Sequence, residues 1–205
     1  MDTFSMSELW IATHNSGKLK EFQNLSGEFP ALKIHSAVEI SAYTAPAETG
    51  STFLENARIK AKSLKAVKTG VWVLADDSGL EVEGLGGLPG VHSARYAGPH
   101  ARDSENIAKL LKMLQIRNVT NRAAQFKAVL VIYSPEGQEM VFEGSLKGTI
   151  AQKVAGLHGF GYDPVFIPQG ETKTLAELDP GFKNKFSHRA LAYREFLSQL
   201  KTHLS

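Results

Sequence analysis

The sequence predicts an α/β fold built on a mixed sheet, and three observations carry that expectation. Short apolar runs ending in polar turns, Leu9–Thr13 and Val71–Ala75, alternate with amphipathic helical stretches. Two apolar-rich segments flanking Ser134–Gln138 read as a long antiparallel hairpin, which interrupts the strand–helix alternation. No repeat, low-complexity segment or flexible boundary divides the chain, so residues 1–205 read as a single domain.

The elements follow in order. Leu9-Trp10-Ile11-Ala12-Thr13 is short, apolar and stopped by a polar turn, as a buried strand should be. From Lys18 to Phe29, Leu19, Phe22 and Leu25 recur at helical spacing. Thr52–Lys68 carries the clearest helix signal. Thr52 and Glu55 form a T-x-x-E capping box, Phe53, Ala57, Ala61 and Leu64 make an apolar stripe, and Gly70 stops it. Val71–Ala75 is a continuous apolar run, expected to be a central strand that ends in Asp76-Asp77-Ser78-Gly79. Gly84–Gly98 holds five of the 18 glycines and reads as a long ordered loop. Asp103–Leu114 is amphipathic, Ala124–Tyr133 and Glu139–Lys147 form the hairpin, and Gly156–Pro168 is a second glycine-rich loop. Asn184–Leu204 closes the chain as a helix with Ser187 as N-cap.

Composition narrows the function classes. The chain is 42% hydrophobic and 21% charged, ordinary for a globular protein. It has no cysteine, which excludes disulfides, thiolate metal sites and cysteine nucleophiles. Lys and Arg total 23 against 21 for Asp and Glu, a net +2, too modest to predict a stable nucleic-acid partner. No apolar run approaches the ~18 residues of a membrane span. Residues 1–8 lack a basic, apolar leader. The expectation is therefore a cytoplasmic protein.

Several segments carry candidate chemistry. Thr13-His14-Asn15-Ser16-Gly17-Lys18 lies between a strand and a helix, where free backbone N–H groups and the helix dipole attract phosphate and Lys18 adds charge. It is no Walker A loop, having one glycine and Leu19 in place of Ser or Thr. The segment also reads as an ordinary βα turn. Asp76 and Asp77 at a strand end suit a hard cation such as magnesium, or proton abstraction from water. Side chains alternate along a strand, so only one of the two is expected to face a ligand. Glu48 is a second metal-ligand candidate or simply a surface acid. Phe160-Gly161-Tyr162-Asp163 offers a purine a stacking face, from Phe160 or Tyr162, and an acceptor, Asp163; it equally describes a tight turn. Lys183, Lys185, His188 and Arg189 cluster at the expected start of the last helix. Cations there oppose the helix dipole, a cost explained if an anion or a base carbonyl binds. Lys60 and Arg58 face solvent by helical period, although either can reach a cleft, and Arg95 either holds the long loop or touches substrate.

Together these segments list what triphosphate hydrolysis needs, and their order resembles a known family. Ala12–Lys18, Thr52–Ala57, Ala75–Leu80, Gly86–Gly90, Ser93–Tyr96, Gly159–Pro164 and Ser187–Arg189 are similar, in sequence order, to motifs of the inosine triphosphate pyrophosphatase family. The resemblance implies a long central mixed sheet with helices forming two lobes around an active-site cleft, and a homodimer. It implies magnesium-dependent hydrolysis of dITP, ITP and XTP to the monophosphate and pyrophosphate. By the same likeness Thr13 to Lys18 and Lys60 hold phosphate, and Asp77 is the metal-linked proton acceptor. Ser78 contacts substrate, while Phe160, Gly161, Tyr162, Asp163, Lys183, His188 and Arg189 surround base and sugar. One departure stands out. Relatives often carry two acids before Thr-Gly, whereas this chain has Ala47-Glu48-Thr49-Gly50. Other readings are a pyrophosphatase for other modified nucleotides, a non-catalytic nucleotide-binding protein, and a nucleic-acid module using the Lys183–Arg189 cluster.

Overall fold

A computed structural model describes residues 8–41 and 43–203. The first strand, β1 (Glu8–Ile11), leads through Thr13–Asn15 into helix α1 (Ser16–Leu25). The stretch before Leu9, read as an N-terminal extension, lies outside the described residues except for Glu8, which opens β1. Strand β2 (Lys33–Ser36) follows and pairs parallel to β1. The capped helix α2 (Phe53–Val67) is as expected: the Thr52 side chain accepts from the Glu55 N–H and Glu55 reaches back to the cap. Beyond it come β3 (Trp72–Val82), α3 (Asp103–Ile116), β4 (Ala123–Tyr133), β5 (Glu139–Ile150), the short β6 (Phe166–Pro168), α4 (Pro180–Phe186) and α5 (His188–His203). The strands make one six-stranded sheet in the order β2-β1-β3-β4-β5-β6. It is mixed, since β1 runs parallel to both β2 and β3 while β6 is antiparallel to β5. Among the described residues no helix is long and apolar enough to cross a membrane.

The chain divides into two compact units. Among the described residues the first holds those up to Asp77, Ala128–Glu143 and those from Arg189 on; the second holds Ser78–Lys127 and Gly144–His188. In the first unit the sheet is covered on both faces. Leu9, Ile11, Leu74, Leu130 and Ile132 pack with Phe22 of α1 and Tyr193 and Phe196 of α5. The alternate residues Trp10, Val73, Ala75 and Val131 pack with Ala57, Ala61 and Leu64 of α2. In the second unit one core forms, from Leu80, Val82, Ala124, Phe126, Ile150 and Phe166 against Ile107, Leu110 and Leu114 of α3. The opposite face there, with Glu81, Gln125, Lys147 and Thr149, lines an open groove of about 730 Å³.

This difference corrects two expectations. The central strand does not end at Ala75 but continues through Asp76-Asp77-Ser78-Gly79 to Val82. Its first half is buried on both faces and reads as an apolar run; its second half alternates, with Leu80 and Val82 inward and Glu81 half-buried. The expected final helix is likewise two helices, separated at Ser187, which has extended backbone. Lys183 and Lys185 therefore sit in the last turn of α4, where cations complement the dipole rather than oppose it. The two glycine loops also hold structure: 3-10 turns at Glu83–Leu85, Gly90–Arg95 and Asp163–Val165, and the strand β6.

Candidate active site

In the first unit, chemistry gathers around the β1–α1 turn, the middle of β3 and one face of α2. Thr13 is buried, its carbonyl accepts from the Ser36 hydroxyl at 2.9 Å, and its own hydroxyl accepts from the Asn15 N–H at 3.1 Å. Asn15 caps α1 by accepting from the Lys18 N–H at 3.0 Å. His14, Asn15 and Ser16 are exposed, Gly17 is half-buried, and the His14 ring lies parallel to Tyr43 with centroids 6.1 Å apart. This is an open helix N-terminus beside a half-buried lysine. Lys18 Nζ lies 3.0 Å from Asp76 Oδ2. Burial lowers the affinity of the Lys18 ammonium for its proton, and Asp76 only partly restores it.

Asp76 and Asp77 face opposite ways, as strand alternation requires, and their surroundings divide their roles. Asp76 is surrounded by cations. Arg189 donates to its Oδ2 from Nε at 3.0 Å and from Nη2 at 2.8 Å, and extends its Nη1 to Glu21. Burial works to raise the Asp76 carboxyl, but Arg189 and Lys18 outweigh it and hold it well below the usual carboxylate range. Arg189, expected to surround base and sugar, is itself buried with both acids on its guanidinium.

Asp77 is different. Its Oδ1 takes the Lys60 ammonium at 2.6 Å, and the same ammonium lies 3.0 Å from Glu48 Oε1. Its Oδ2 is buried without a hydrogen-bond partner. Burial pushes the Asp77 carboxyl up against the pull of Lys60, whereas Asp77 and Glu48 overcome burial at Lys60 and hold that ammonium firmly protonated. These directions oppose each other. Two carboxylates within 3.0 Å of one ammonium favour the ionised arrangement as the resting state at neutral pH. Lys60, solvent-facing by helical period, is thus only 12% exposed, while its neighbour Arg58 pairs with Glu139 at 2.8 Å.

A cation held between two carboxylate oxygens is the donor set that a hard metal takes. Among the described residues no group of three or more His, Asp or Glu could hold a metal alone. A magnesium ion at Asp77 and Glu48 would take its other ligands from phosphate oxygens and water, as that ion commonly does.

The second unit holds the remaining candidates. Asp163 Oδ2 accepts from the Phe160 N–H at 3.0 Å and from Lys183 Nζ at 2.7 Å. The Lys183 ammonium also stands 4.5 Å over the Phe160 ring. The Gly161 N–H donates to Asp103 at 2.6 Å. Tyr162 is a core residue, and its hydroxyl donates to the Ser93 carbonyl at 2.9 Å. His188 is buried and stacks on Phe126 with centroids 4.9 Å apart. Ser78 is half-buried on β3. Two contacts involve residues outside the candidate set: Glu21, on the Arg189 guanidinium, and the buried Ser93 hydroxyl, which accepts from the Leu80 N–H and donates to the Gly90 carbonyl. Glu21 looks like a surface acid on a helix, and no local spacing announces its arginine partner.

Known proteins match along nearly the whole chain. The model of the Ham1 family matches residues 9–199. A dITP/XTP pyrophosphatase of Bdellovibrio bacteriovorus is 60% identical over 195 residues, 95% of this chain and 98% of that protein. The Ham1 protein of Coxiella burnetii superposes with a TM-score of 0.84 at 40% identity, covering 96% of this chain and 100% of that one. The Ham1 protein of Staphylococcus aureus gives a TM-score of 0.83 at 41% identity, covering 96% and 99%.

Proposed function

Because this chain belongs to the Ham1 family, we propose that it hydrolyses non-standard purine nucleoside triphosphates, dITP or ITP and XTP or dXTP, to the monophosphate and pyrophosphate. Such a reaction keeps these nucleotides out of DNA and RNA. The observation that carries the reading is the shared ammonium of Lys60 between Asp77 and Glu48, in the same unit as the Thr13–Lys18 turn. That unit combines an anion-binding helix start, buried cations and a hard-metal carboxylate pair.

Each residue then has a task. The amides of His14, Ser16 and Gly17 and the Lys18 ammonium bind phosphate oxygens. Asp77 and Glu48 would hold magnesium. The ion, when bound, neutralises charge on the triphosphate and stabilises the pyrophosphate as it leaves. Water attacks the α phosphorus and the bond to the α–β bridging oxygen breaks. Asp77 Oδ2, buried and unpartnered, takes the proton of the attacking water. Burial raises its carboxyl toward the basicity that this transfer needs.

Base selection is assigned to the Phe160–Asp163 segment with Lys183. Phe160 supplies a ring face, and Lys183, fixed by Asp163 at 2.7 Å, is a donor in every state. A 6-oxo group accepts from such a donor, whereas the 6-amino group of adenine does not. Family likeness also supports a homodimer in the cytoplasm; sedimentation of the purified protein checks the dimer.

The test is pyrophosphate release from ITP, XTP, GTP and ATP, with and without magnesium. Release from ITP and XTP, dependent on metal and reduced at least about 100-fold by Asp77→Asn, is expected. No release from any of the four nucleotides would reduce the chain to a nucleotide-binding protein.

A further inference from the structure

We infer that Lys60 is a tethered counter-ion that keeps the Asp77–Glu48 pair closed to free divalent cations and gives it up only when a triphosphate arrives with the metal. This rests on the proposed reading of that pair as the metal-assisted phosphate site and concerns the order in which the site is filled.

The argument starts from position. Lys60 lies in the middle of the fifteen-residue helix α2, whose first turn is locked by the Thr52–Glu55 capping box and whose stripe of Ala57, Ala61 and Leu64 is fully buried. Its backbone cannot move far, but its four-carbon stem can swing. The ammonium lies 2.6 Å from Asp77 Oδ1 and 3.0 Å from Glu48 Oε1, and so occupies the place between the two oxygens that a divalent ion would need. An ammonium and a divalent cation cannot both sit there, because their like charges would be in contact in a poorly hydrated site.

Free metal therefore meets a double obstacle. It must expel a tethered cation, and it gains only two protein carboxylates, since no third acidic or imidazole ligand is gathered among the described residues. A metal arriving on a triphosphate must displace the same ammonium, but the nucleotide offsets both obstacles. Phosphate oxygens complete its coordination. They also give the expelled ammonium a new anionic partner. Lys60 is thus a positioning residue that couples metal binding to nucleotide binding, and the coupling must be reciprocal.

The test is manganese binding to the full chain, followed by electron paramagnetic resonance, with and without α,β-methylene ITP. Without nucleotide the wild type should bind Mn2+ weakly, and Lys60→Met should bind it about tenfold tighter or more. Adding Asp77→Asn to Lys60→Met should abolish that gain. The analogue should tighten Mn2+ binding strongly in the wild type and much less in Lys60→Met. A merely structural lysine would weaken or leave unchanged the nucleotide-free affinity, and that result overturns the inference. Lys60→Gln, which keeps a donor for both carboxylates, serves if Lys60→Met does not fold. A wild type that neither binds Mn2+ with the analogue nor releases pyrophosphate removes the underlying functional reading. Pyrophosphate release with unchanged nucleotide-free Mn2+ affinity in Lys60→Met removes this inference alone.

Discussion

Two adjacent aspartates with opposite surroundings illustrate what a single residue position can do. Asp76 is held by Arg189 and Lys18, so its charge is satisfied inside the protein. Asp77 instead shares a single movable lysine with Glu48. Their amides should therefore behave differently. Asp77→Asn should lose turnover and keep the fold, whereas Asp76→Asn should lose stability first. Arg189→Leu should be worse still, because it leaves Asp76 and Glu21 buried without their guanidinium. Breaking a buried pair from one side costs about 3–5 kcal/mol, to be read by urea unfolding at neutral pH. Acid should act on the same group. The Asp76 carboxyl is held below its unfolded value, so its contribution is present above pH ~4 and is lost as pH falls below that toward its depressed value. Stability measured from pH 7 down to 3 should fall on the acid side, with a shallower fall in Asp76→Asn; equal slopes would remove Asp76 as a source. Alternation along a strand is enough to read the opposite facing of these two acids from the sequence. The Arg189–Glu21 contact is not readable there, because its partners are 168 residues apart and only the packing of α1 and α5 in one core brings them together.

At the scale of elements, legibility follows local signals. The α2 helix is readable to within a residue because its cap, stripe and stop all agree. Strand β2 escapes such reading: Lys33-Ile34-His35-Ser36 is short and half polar, and it is fixed by pairing with β1 and by the His35 ring on Trp10, 4.5 Å between centroids. The second half of β3 reads as a turn because a strand with one open face shows polar residues at every other position. Two substitutions test these accounts. Thr52→Ala removes the side chain that accepts from the Glu55 N–H and should cost about 1 kcal/mol, with thermal unfolding as the readout. Gly156→Ala should cost more. Its φ is +84° and an added Cβ would lie 2.2 Å from the Ala176 carbonyl carbon, a backbone atom that cannot step aside. The loss should exceed about 2 kcal/mol. A Gly156→Ala variant as stable as the wild type would show that this loop has another conformation within reach.

For the whole molecule, the informative feature is how the chain is divided. The boundary between the compact units falls after Asp77 within β3, between Lys127 and Ala128 within β4, between Glu143 and Gly144 within β5, and between His188 and Arg189 at the start of α5. Neither unit is a continuous stretch of sequence, so neither can complete its core before the chain has passed through the other. The cores themselves are separate: Leu130 belongs to the first unit and Leu110 to the second, each fully buried. A strand whose residues belong to two cores transmits loss of order along its own backbone, which argues that the chain unfolds as one domain. Leu130→Ala and Leu110→Ala should each cost about 2–5 kcal/mol. If the chain is one cooperative domain, both shift the same single transition, and calorimetric and van't Hoff enthalpies agree in each variant. If the units are independent, each substitution moves one step of a two-step melt and leaves the other in place. Calorimetry on the two variants decides between these outcomes. The single-transition result would also mean that a defect such as Gly156→Ala, in the second unit, lowers the stability of the acids and lysines in the first.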